Sequence, residues 1–104
     1  PLLRDLMEDE EPNIRWDAAV ALAKMKDTSS VKIINNLLDR EYLNLFPELD
    51  ASEIDQTLKI AIYITSILND GRFYPNLQAL ALDENLKVRN VALKTLEKHY
   101  KDYE

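Results

Sequence analysis

Residues 9–22 read Asp9-Glu10-Glu11-Pro12-Asn13-Ile14-Arg15-Trp16-Asp17-Ala18-Ala19-Val20-Ala21-Leu22, an acidic turn running straight into an apolar stripe. Ile14, Ala18, Ala21, Leu22 and Met25 stand at i, i+4, i+7, i+8 and i+11, which is one face of a helix with 3.6 residues per turn. The stretch matters most because it recurs. Sliding the chain by 74 residues places Leu3, Leu6, Asp9, Glu10, Arg15, Ala18, Leu22 and Lys24 on Leu77, Leu80, Asp83, Glu84, Arg89, Ala92, Leu96 and Lys98, with Ile14 on Val88. Eight identities in a window of 22, gathered on apolar and turn positions, exceed what composition alone usually gives. Self-similarity at such a period is the mark of an array of helical repeats.

A middle unit follows the same pattern more loosely. Ile54, Leu58, Ala61 and Ile62 take the places of Ile14, Ala18, Ala21 and Leu22, so the units are spaced by 40 and then 34 residues. Val31, Ile34, Leu37 and Leu38 form a shorter stripe whose helix opens at Asp27 or Thr28. Ser52 to Asp55, with Asp50 just upstream, reads as a capping box ahead of a long helix over residues 53–69. That helix stops at Asn69-Asp70-Gly71, where Gly71 is expected to take the left-handed conformation. Tyr74, Leu77, Leu80 and Ala81 start another helix, with Pro75 tolerated in its first turn, and Val88, Ala92, Leu96 and Tyr100 mark the last. The segment 39–51, rich in Tyr42, Leu43, Leu45, Phe46 and Leu49, reads as an extended helix end or an extra short turn inserted into the middle unit.

Composition agrees with an all-helical chain. One Gly and four Pro leave little material for β-turns, and no apolar run approaches the ~20 residues that span a bilayer. There is no Cys, which excludes disulfides, thiolate metal sites and Cys nucleophiles, and which fits a cytoplasmic protein. Net charge is −6, with eleven acids against six bases in residues 1–52 and eight against seven in the rest. Such a surface disfavours nucleic acid and anionic membrane, since phosphate contact requires Lys and Arg.

The two quoted segments, Asp9 to Leu22 and Asp83-Glu84-Asn85-Leu86-Lys87-Val88-Arg89 to Leu96, resemble the HEAT-repeat signature. The likeness is strongest to the bacterial form named after phycobilisome lyases, in which an acidic turn precedes Val-Arg, two small residues and an Ala-Leu pair. The middle unit departs from it, with Asp55 where the Arg stands and Leu58 where the first Ala stands. The resemblance implies an α-α superhelix, a HEAT-like solenoid of roughly six helices in two and a half to three repeats, spanning residues 1–104 as a single domain. It also implies that Arg15 and Arg89, with Asp9 and Asp83, form a structural ladder near the turns. The start at Pro1, followed at once by Leu2, Leu3 and Leu6 in helical rhythm, fits a piece of a longer chain whose first helix self-associates, whereas residues 98–104 read as a polar cap.

Nothing in the chain spells catalysis. His99 is the one His and sits among solvated charges at a helix end, where the macrodipole favours it. No metal-ligand spacing, phosphate-cradling Gly loop or Ser-His-Asp arrangement is present, so neither cofactor nor metal is expected. Repeat arrays bind along the face made by the second helix of each unit. That places Trp16, Asp17 and Val20, then Gln56, Thr57, Ile60 and Tyr63, then Asn90, Val91 and Lys94 on the outward side. The expected function is therefore a non-catalytic protein-binding or scaffolding module. Trp16, Val20, Ile60, Tyr63 and Lys94 are its candidate contacts, Trp16 the best anchor if exposed. The alternative is a HEAT-repeat enzyme or enzyme subunit, of the phycobilin-lyase or DNA-repair glycosylase kind. The second of these finds only a faint basic stripe in Lys87, Lys94, Lys98 and Lys101.

Overall fold

Short carboxylate or amide side chains, those of Asp27, Asp39, Asp50, Asp70 and Asn85, open most of the helices or the 3-10 turns that lead into them. The computed structural model describes residues 2–103; Pro1 and Glu104, at the two ends considered above, lie outside it. Among the described residues the order is α1 (Leu2–Leu6), α2 (Pro12–Lys24), α3 (Val31–Leu37), α4 (Arg40–Leu43), α5 (Ala51–Leu68), α6 (Tyr74–Leu80) and α7 (Leu86–His99). Single 3-10 turns, Thr28–Ser30, Gly71–Phe73 and Lys101–Tyr103, precede α3, precede α6 and follow α7. The described residues contain no strand, and α4, the helix beyond the roughly six expected, lies within segment 39–51.

Asp27 accepts from the Ser29 amide, Asp39 from Glu41, Asp70 from Arg72 and Asn85 from Val88. Each satisfies a donor that the first turn leaves free. The capping box of α5 is real but lies two residues earlier than expected. Asp50 accepts from the Glu53 amide at 2.8 Å while Glu53 returns a carboxylate oxygen to the Asp50 amide at 3.0 Å. Ser52 is already inside the helix. The end of α5 also differs from expectation. Asn69, with φ 51°, takes the left-handed position, and Gly71 has no positive φ. Gly71 is needed for closeness instead: a Cβ there would stand 2.8 Å from Cε1 of Tyr103, whose ring lies over it.

Helices α2, α5 and α7 lie side by side in chain order, α5 packing on both of the others. Helix α1 leans on α2, α3 on α2 and α5, and α6 on α7. The expected stripe Val31, Ile34, Leu37 and Leu38 is buried throughout, as are Ile54, Leu58, Ala61 and Ile62 of α5 and Val88 and Ala92 of α7. On α2, however, only the middle of the stripe is covered: Ala18 and Leu22 are buried while Ile14 and Met25 are exposed, because α1 is too short to reach both ends. At the far end, residues 98–104 are not simply a polar cap. Tyr100 is fully buried and its hydroxyl donates to the Thr65 carbonyl at 2.6 Å, and burial pushes its pKa up to about 12.

Helix α2 ends with the amides of Lys26 and Asp27 donating to the carbonyls of Ala23 and Leu22, the paired bonds of a Schellman motif. Lys26 occupies its left-handed position at φ 62°, where a Cβ is costly. Lys26→Gly is therefore expected to stabilise the protein by about 1 kcal/mol, after the extra unfolded-state freedom of Gly is subtracted. Urea unfolding measures this; an unchanged or lowered midpoint would contradict the motif.

Candidate functional site, a groove between α2 and α5

The side chains that the sequence places outward on α2 and α5 meet across a shallow groove of about 280 Å³. Helix α2 contributes Asn13, Trp16, Asp17 and Val20; α5 contributes Glu53, Gln56, Thr57 and Ile60; Leu37 and Leu49 complete the lining. A smaller adjoining recess shares Asn13, Trp16 and Leu49 and adds Glu11, Pro12 and Glu48. Apolar side chains thus alternate with Glu11, Asp17, Glu48 and Glu53, and no base lines either hollow.

Trp16 is the one candidate whose place differs most from expectation. It is 8% exposed, so it lines the groove from below and is no free anchor. Its ring meets Phe46 edge-on at 5.0 Å and Tyr42 at 6.4 Å, and those two rings meet at 5.2 Å. The insertion therefore serves local packing: Leu43 is fully buried, Tyr42, Phe46 and Leu49 are half-buried, and Leu45 alone of its large apolar residues is exposed. The Trp16 indole N–H is buried without an acceptor. Val20 is half-buried on the groove wall and Ile60 exposed on it. Tyr63 and Lys94 are exposed but do not line it, and neither do Asn90 and Val91 of α7.

The ladder residues hold the turns that precede α2 and α7. Arg15 donates to the carbonyls of Asp9 and Glu10, and Arg89 to the carbonyl of Asp83, so the Arg-to-turn bond repeats at the 74-residue offset. The carboxylates of Asp9 and Asp83 likewise each accept from the amide two residues on. The middle unit replaces this arrangement. Asp55, standing where its neighbours have Arg, accepts from Arg40 at 2.7 Å and from Asn85 at 2.9 Å. Arg40 also binds Asp83 bidentately, at 2.9 and 2.7 Å. The Asp83 hydrogen bonds hold the Arg40 guanidinium above its ordinary range. Burial pushes Asp83 up, but the bonds from Arg40 and from the Asn85 amide outweigh it, leaving the carboxyl below its ordinary value.

Sequence reasoning passed over Arg40. The available signal was Asp55 itself, since a carboxylate placed in an arginine position needs a cation from elsewhere. At the N-terminal end, Arg4 binds Asp27, whose carboxyl is lowered to about 2 by the Ser29 hydrogen bonds and then by Arg4. No group of three or more His, Cys, Asp or Glu placed to hold a metal occurs among the described residues, and no helix there is long and apolar enough to cross a membrane. Comparison with protein-family models, with characterised proteins and with solved structures finds no match to this chain.

Two predictions follow from the packing beneath and beside the groove. Arg40→Ala leaves Asp55 and Asp83 facing each other without a cation and should cost about 2–3 kcal/mol. Because Asp83 is lowered in the folded state, its contribution is fully present above the ordinary carboxylate value near 4 and is lost as pH falls through the lowered one. The gap between wild type and Arg40→Ala in urea unfolding should therefore narrow from pH 6 to pH 3; a constant gap would contradict the ion cluster. Trp16→Phe removes an unpaired donor along with ring area and should lie within about 1 kcal/mol of wild type, whereas Trp16→Ala opens a cavity and should cost about 3–5 kcal/mol. Equal losses would mean that the indole N–H has an acceptor.

Proposed function

We propose that this chain is a HEAT-like helical array acting as a non-catalytic protein-binding module, with the groove between α2 and α5 as its docking site. The observation that carries the reading is the groove itself. It joins six of the residues placed outward by the repeat pattern, Trp16, Asp17, Val20, Gln56, Thr57 and Ile60, on two neighbouring helices. An apolar strip bordered by charge on rigid helices suits a peptide segment or a partner helix better than a small substrate, which needs a deeper and more enclosed hollow. The repeated Arg-to-turn bonds at Arg15 and Arg89 support the HEAT-like architecture, and α2, α5 and α7 lying in chain order are consistent with it.

The module acts by presenting a preformed surface, so binding requires little reordering of the chain. Trp16 supports the floor, Val20 and Ile60 supply contact area, and Asp17 and Glu53 set the register of the partner's charges. The partner is sought by capture from lysate and then titrated in purified form against wild type and an Asp17→Ala, Ile60→Glu variant confirmed as folded by circular dichroism. Affinity should fall at least roughly tenfold in the variant, since a charge set into an apolar contact and a lost ion pair together exceed about 1.4 kcal/mol. Undiminished affinity would move the site away from the groove.

A further inference from the structure

The groove between α2 and α5 has two walls of the same design. Its lining on α2 falls at positions 13, 16, 17 and 20 and its lining on α5 at 53, 56, 57 and 60, the same i, i+3, i+4, i+7 spacing on each. Each wall is thus one helical face two turns long, about 10 Å in extent. The adjoining recess holds the starts of both helices, with Glu11 and Asn13 on one side and Glu48 and Leu49 on the other. Val20 and Ile60, seven residues beyond Asn13 and Glu53, therefore lie toward the other end. Charge is sorted here rather than mixed. Glu11, Glu48 and Glu53 gather at the recess end, Asp17 stands one turn beyond Asn13, and none of the four is in an ion pair among the described residues. Nearby bases face elsewhere: Arg4, Arg15 and Lys32 line a separate hollow whose one acid is Glu8, and Lys59, the one base of α5, lines neither groove nor recess. Glu53 serves the capping box, and the macrodipole favours an acid such as Glu11 at the start of α2. Asp17 and Glu48 have no such local role, since one lies past the first turn of α2 and the other ahead of the cap of α5. The floor adds a further unmet group, the Trp16 indole N–H, buried without an acceptor.

We infer that the partner is an amphipathic helix with an apolar pair at i and i+4 and Lys or Arg within two turns on one side, which rests on the groove being the docking site proposed above. A helix fits because both walls are helical faces, between which a third helix sets its ridges as helices generally pack. An extended segment needs a free sheet edge, and the described residues contain no strand. The apolar pair rests against Val20 and Ile60, over Leu37, while the bases reach Asp17 and the glutamates at the recess end. In the free protein these like charges repel one another, and a cationic partner relieves that repulsion. A neutral or acidic helix of the same shape gains the apolar contact but leaves four carboxylates unpaired, so charge supplies the discrimination.

The probe is a phage-displayed library of random peptides about fifteen residues long, enough for roughly four helical turns, selected on the whole chain. Amide shifts of residues 11–20 and 48–60 then show which binders sit in the groove. Those binders should share an apolar pair flanked on one side by Lys or Arg, and the peptides should become helical by circular dichroism when bound. Asp17→Lys with Glu48→Lys, both at exposed positions, should weaken them at least about tenfold. Raising salt to about 0.5 M should weaken binding to wild type in the same sense, because screening then acts within a few ångströms, and this titration decides the matter if the variant does not fold. Groove binders that lack a basic flank, that bind in extended form, or whose affinity ignores salt overturn the inference and leave the docking site standing. The absence of any binder in the groove overturns both.

Discussion

Helix α5 buries Ile54, Leu58, Ala61, Ile62, Ile64 and Thr65, a surface too broad for one neighbouring helix to cover. Everything else is arranged around that constraint. Helices α2 and α7 close its two sides, α3 fills the gap on one layer, and Tyr100 comes back from beyond α7 to cap the Thr65 carbonyl. A lone helical hairpin built on α5 would leave half of these side chains in water. At about 25 cal/mol per Å² of apolar surface, that loss would outweigh the marginal stability of a domain this size. The flanking helices carry narrower stripes, so each can end its own burial at the edge of the molecule.

The middle unit shows how a departure from a repeat pattern is absorbed. In the units around it an arginine holds its own turn by donating to backbone carbonyls. With Asp55 in that place the turn has an acceptor and no donor, and Arg40 arrives from the inserted helix α4 to supply one. The guanidinium fork then serves two carboxylates, tying α4, α5 and the turn before α7 at a single point. Its planar geometry allows this; an ammonium on a flexible stem could not hold both partners in fixed directions. The insertion that breaks the regular spacing thus brings the residue that makes the break tolerable.

How much of this was legible in the residues depended on whether a signal was local. The stripe from Val31 to Leu38 and the helices of α5 and α7 follow from period alone. The capping box was visible, but Asp50 and Ser52 are both good caps, and only the three-residue return from Glu53 selects Asp50. The role of Gly71 was hidden because its constraint comes from Tyr103, more than thirty positions away. The exposure of Ile14 and the burial of Trp16 were illegible for a related reason. Period places a residue on a face but does not say whether a neighbour covers that face. For Trp16 the cover comes from Tyr42 and Phe46, in a stretch with no helical rhythm. The groove was half legible: its walls were named residue by residue, whereas its acidic border came from Glu48 and Glu53 only once the chain was folded.

The chain has one tryptophan, and it lies beneath the groove with its edge against two other rings. Its emission therefore reports on that junction alone, in a protein whose other aromatic residues absorb and emit at shorter wavelengths. A shift toward the red would register water reaching the α2–α4 contact, while far-ultraviolet dichroism would go on reporting the helices as a whole. Divergence of the two signals during unfolding would reveal local opening around Trp16 as a step apart from global melting. A residue that cannot serve as a surface anchor thereby becomes a built-in optical probe of the surface it supports.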